Sequence, residues 1–166
     1  MGISGKGVSA VDNKIETAAE AFEQDALPRV HECHTDPDCA NVKDQKLPKA
    51  VTDTPVSKKS PAQWAYERVV LYLKNFEEQL DGDHEVAIGF VGANASVLRI
   101  EGMGYFDPDI VTFYGSDPSG GRTQLVQHVS QLNVMLRTLP KAVEQEPAVR
   151  IGFQLAQDLE NAGATS

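Results

Sequence analysis

The sequence predicts an α+β domain in which an N-terminal helix is followed by a strongly bent antiparallel sheet. Three observations carry this. Residues 61–80 repeat apolar side chains at helical spacing. From residue 86 onward, short β-branched and aromatic runs alternate with glycine- and aspartate-rich turns. No helical stretch separates those runs, as a parallel sheet would require.

The helix has a readable start. Ser60-Pro61-Ala62-Gln63 places a serine at the N-cap, proline at the first helical position and glutamine three residues after the cap. Tyr66, Val69, Val70, Leu73, Phe76 and Leu80 then share one face, which Trp64 and Leu71 broaden. Asp81-Gly82-Asp83 ends it. Trp64, Tyr66 and Phe76 are expected to serve packing.

Val86 to Val91 reads as the first strand, and Val97 to Ile100 begins the second. Gly102 and Gly104 predict a bulge in a long curved strand. Ile110 to Tyr114 is the third, closed by the turn Asp117-Pro118-Ser119-Gly120-Gly121. Gln124 to Leu139 forms a long final run with a break near Ser130, and Val149 to Leu155 reads as a further short strand. The expected free edges are Ile110 to Tyr114 and Gln131 to Leu136.

The expected boundaries are a disordered or partly helical arm over 1–59, the domain over 60–155 and a C-terminal tail over 156–166. Residues 12–27 have helical spacing, but a lone helix of that length is marginal in water. Residues 28–60 hold four prolines and no apolar period, so they read as linker.

The chain has 166 residues and a net charge of −9. Residues 60–140 alone carry five basic and ten acidic side chains, a surface that repels a nucleic-acid backbone. No stretch approaches the roughly 20 apolar residues of a membrane span. Both cysteines, Cys33 and Cys39, fall in the arm, so no disulfide framework is expected and the cytoplasm is the expected location.

A helix and about five bent strands over residues 60–140 resemble an Sm-like domain. An apolar strand ending at Gly92, then Tyr105-Phe106-Asp107 and a third strand from Ile110, is similar to the first Sm motif. Val126-Gln127-His128-Val129-Ser130 is similar to the Tyr-Lys-His segment of Hfq-like RNA chaperones. The resemblance implies a small barrel, edge-to-edge rings and RNA binding. His128 matches the histidine of that segment; Gln127 stands in place of its lysine and Val126 of its aromatic residue. Asp109 and Ile110 lie near the place of a base-stacking phenylalanine. The cationic and stacking groups that single-strand binding uses are therefore mostly absent. The chain also resembles a small bacterial family of unknown function.

Two sets of side chains are candidate sites. His31, Cys33, His34 and Cys39 are four soft ligands within nine residues, the donor types zinc takes. A Cys33–Cys39 disulfide or redox pair, and an incidental cluster without a metal, are the alternatives; no other cofactor is implied. His128 and Ser130, two apart on one expected strand, could join Asp107 or Asp109 as nucleophile, base and orienter. The same Gln127, His128, Ser130 and Asp107 could instead line a ligand pocket, and amide-rich residues 124–133 a pore, an interface or a solvated face.

The function expected first is a non-enzymatic, homo-oligomeric interaction module whose arm recruits an unknown protein partner. An Sm-like RNA or nucleotide-ligand binder is second, set back by the acidic surface. A hydrolase using His128 is third, since no nucleophile elbow surrounds Ser130.

Overall fold

The computed structural model describes residues 29–90 and 97–165. The possible helix over residues 12–27 lies outside them. The fold is α+β, with three helices and five strands in the described residues: α1 (Lys49–Asp53), α2 (Pro61–Glu78), β1 (His84–Phe90), β2 (Val97–Phe106), β3 (Ile110–Ser116), β4 (Arg122–His128), β5 (Val134–Pro140) and α3 (Ile151–Thr165). No described helix is long and apolar enough to cross a membrane.

Helix α2 starts as its sequence dictates. Ser60 holds an extended backbone, and its hydroxyl accepts the Gln63 backbone N–H at 3.0 Å. Ala62, Ala65, Val69 and Leu73 then face the sheet and meet Val86, Ile88, Leu98, Ile100, Val111 and Phe113. The rings of Phe90 and Phe113 meet edge-on at 5.3 Å within this layer.

The other side of α2 is also covered. Tyr66 and Val70 pack with Val51 of α1 and with Ala156 and Leu159 of α3. Helix α2 is therefore packed between the sheet and the pair α1 and α3, and α3 also reaches the sheet-side core through Ile151 and Leu155.

All strand pairs are antiparallel, in the order β4-β3-β2-β1-β5. The predicted bulge is present: the β2–β3 register shifts between Ile100 and Gly102. The predicted break is present too, as a 3-10 turn over Val129–Gln131 between β4 and β5.

Four expectations need correction. The sheet does not close into a barrel, because β4 and β5 lie at opposite ends and pair only with β3 and β1. Ile110 to Tyr114 is not an edge; β2 and β4 flank it. Val149 to Leu155 is not a strand, since a helix begins at Ile151 and runs through the expected tail to Thr165. Ile151, Leu155, Ala156 and Leu159 share the helical spacing that buries that helix. Finally, residues 29–59 are more than a linker: Val42 and Val51 are buried, in a 3-10 turn and in α1. One buried side chain per short turn leaves no period to read.

Candidate functional site

The β2–β3 turn and the end of β4 converge on one corner of the sheet. The Ala62 N–H donates to the Pro108 carbonyl at 2.9 Å, which ties the turn to the start of α2. The Val129 N–H donates to the Asp109 carbonyl at 2.7 Å, which ties the same turn to the segment after β4.

This corner brings three of the candidate groups together. His128 Nδ1 lies 2.7 Å from Ser130 Oγ and accepts the Ser130 backbone N–H at 3.1 Å. Its Nε2 lies 3.1 Å from Asp109 Oδ2. A ring nitrogen that accepts carries no proton, so the proton sits on Nε2 and is donated to Asp109. The imidazole is thus oriented by a carboxylate at one end, while at the other its Nδ1 lone pair is shared between the Ser130 backbone N–H and the nearby Ser130 hydroxyl. The His128 and Asp109 side chains are 47% and 41% exposed, so water competes with every one of these contacts.

The same contacts have a local role. The His128 side chain caps the 3-10 turn, and Ser130 lies within that turn instead of on the strand. Asp107 does not join the group. It accepts a hydrogen bond from the Ser60 hydroxyl and so braces the N-cap of α2. The Gln127 amide donates to the Gln131 carbonyl at 3.2 Å, while its own oxygen is buried without a partner.

The arm cluster does not converge. Cys33 and Cys39 are both free thiols. Cys39 Sγ contacts the Gln79 side chain and the Ala40 carbonyl, and His34 lies 3.6 Å from Glu32. Among the described residues no three His, Cys, Asp or Glu side chains form a metal-holding group.

The two sheet edges frame the rest of the exposed surface. On the outer face Val126 of β4 is 59% exposed and Met135 of β5 is 50% exposed. Phe106 and Tyr114 add exposed apolar surface to the face beside β4.

Sequence reasoning missed three buried carboxylates that hold these elements in place. Glu67 pairs with Lys59 at 2.6 Å, both side chains almost fully buried. Glu77 accepts the Phe153 N–H at the start of α3. Glu85 accepts from Arg99 and from the Ala142 and Val149 N–H groups. Little in the sequence sets the first two apart: each has an exposed charged neighbour on α2, Arg68 beside Glu67 and Glu78 beside Glu77.

No curated protein and no solved structure matches the chain. A family model matches residues 58–154, a span that takes in α2, the whole sheet and the first turn of α3. That span is more than half of the chain, and the chain belongs to the family of unknown function DUF6173.

Proposed function

We propose that this protein is a non-enzymatic interaction module that assembles with further copies of itself through the edges of its sheet. The observation that carries this reading is the pair of free edges, β4 and β5, at opposite ends of one open sheet. A strand edge presents a row of unpaired backbone groups, a ready template for another strand. Residues 123–127 of β4 carry no charge that would repel one, and Val126 adds an exposed apolar side chain there.

Pairing β4 of one copy with β5 of the next would build a ring or a chain; pairing like edges would give a twofold dimer. A helix followed by five antiparallel strands supports the Sm-like reading of the domain as part of this proposal. The acidic surface sets RNA behind protein as the partner.

Light scattering on the full chain tests the reading. A dimer or larger is expected, and Val126→Lys, which puts a charge on the edge, is expected to shift it toward monomer with an unchanged melting temperature. A strict monomer at high concentration overturns it.

A second reading, a hydrolase, is favoured by one observation: the Asp109–His128–Ser130 contacts at 3.1 and 2.7 Å. Labelling by a fluorophosphonate, abolished by Ser130→Ala and His128→Ala, is its expected signature. Absence of labelling removes it.

A further inference from the structure

Where α1, α2 and α3 meet the end of β2 lies an open cleft of about 330 Å3. Tyr66, Tyr105, Asp53, Asp158, Glu67 and Gln63 line it, and no Lys, Arg or His does. The two tyrosine rings stand 5.2 Å apart, tilted by 54°.

Three observations give the cleft a chemical preference. Tyr66 is only 6% exposed, and its hydroxyl has no hydrogen-bond partner among the described residues. The ring is buried while the hydroxyl itself opens to the cleft, where water or a ligand completes its hydrogen bonding. Burial first, then the charges of Asp158, Tyr105 and Glu67, push the phenol up to about 12.

The charge balance is the second observation. Lys59 neutralises Glu67 at 2.6 Å, whereas Asp53 and Asp158 have no ion pair among the described residues. The cleft thus keeps two uncompensated negative charges. The third is its aromatic wall, whose ring faces attract cations.

We propose that this cleft binds a protonated amine, its ammonium group held between Asp53 and Asp158 and against the rings of Tyr66 and Tyr105. An ammonium supplies three donors, which two carboxylates and the Tyr66 oxygen can accept. An anion is repelled by the same carboxylates. A divalent cation would need a converging set of ligands that the described residues do not form.

The amine could belong to a free polyamine or to a lysine side chain of another protein. Calorimetry on the full chain with putrescine and with Nα-acetyl-lysine amide separates the two sources. Saturable one-site binding of at least one probe at physiological ionic strength is expected. Preference for putrescine assigns the cleft to free amines; preference for the lysine derivative assigns it to a protein side chain.

Asp158→Asn should weaken that binding by roughly tenfold or more, since it removes a charge-assisted contact. Asp158 is exposed, so this variant should keep the fold. Tyr66→Phe keeps the ring and should weaken binding as well, while Glu144→Gln, on an exposed loop, should not. No binding of either probe overturns the proposal. So does binding that Asp158→Asn and Tyr66→Phe leave unchanged.

Discussion

Glu77 stands where two helices meet, and its chemistry follows from that position. Its carboxylate accepts the Phe153 N–H at 3.0 Å, yet the side chain is almost fully buried and its second oxygen has no partner. Burial holds its carboxyl above the ordinary value of 4.5, against the opposing pull of the α3 N–H groups and Arg150. The folded chain therefore keeps a proton at pH values where the unfolded chain has lost it. Between the ordinary and the raised value, stability falls as pH rises. Glu77→Gln retains an acceptor and removes the ionisation. Urea melts at about pH 5 and about pH 7 should show a larger loss in the parent than in the variant; equal losses would mean that the carboxyl ionises freely. Glu67 behaves differently, because Lys59 supplies a full counter-charge and also donates to the Val51 carbonyl. Lys59→Met leaves a buried carboxylate alone and should cost about 3–5 kcal/mol in chemical denaturation. Adding Glu67→Leu to it should recover most of that loss. A single variant as stable as the parent would show that the pair is dispensable.

At the scale of elements, α3 depends on close approach. Gly152 has no side chain where a Cβ would meet the Lys74 backbone nitrogen at 2.6 Å and the Leu73 carbonyl carbon at 2.7 Å. Eleven residues later on the same helix face, Gly163 makes a similar approach to α1, with a Cβ meeting the Ala50 nitrogen at 2.6 Å. Helix α3 thus meets two backbones at its glycines, while Ala156 and Leu159 between them pack on side chains. Gly152→Ala should force the helices apart and cost about 1–3 kcal/mol, read as a lower denaturation midpoint. Gly82→Ala makes the comparison, since nothing lies within 4 Å of a Cβ there. The segment before α3 is fixed independently. Arg150 donates to the His84 and Asp81 carbonyls at 2.6 and 2.7 Å, and Glu85 holds the Val149 N–H.

For the whole molecule, α2 is covered on one flank by the sheet and on another by α1 and α3. Truncation before Arg150 would expose Tyr66, Val70 and Val51 and leave Glu77 without its Phe153 contact. The truncated chain is expected to lose its cooperative melting transition or to aggregate. A shortened chain with the parent's melting temperature would show that the sheet and α2 suffice. Strand order separates two surfaces: the edges are β4 and β5, whereas the tyrosine cleft is bounded by the three helices and the end of the inner strand β2. Assembly through the edges would leave that cleft accessible.

Local patterns were enough for α2, its Ser60 cap, the β2 bulge and the break after His128, because each rests on residues near in sequence. The α+β class follows from the same signals. Helix α3 also has its period, in Ile151, Leu155, Ala156 and Leu159, but Pro147 and the β-branched Val149 just before it carry a strand signal. What lay beyond the sequence was pairing between distant residues. Nothing near Asp109 indicates that it, and not Asp107, reaches His128; the antiparallel register of β3 and β4, with Ile110 opposite His128, decides that. Openness of the sheet likewise depends on where β4 and β5 end up, which strand propensity leaves undetermined. Tyr66 shows the division most clearly: its spacing on α2 marks it as buried, but only the packing of α1, α3 and β2 around it leaves its hydroxyl facing a cleft beside Asp158. Periodicity records that a side chain leaves water, and tertiary structure chooses the atoms it meets there.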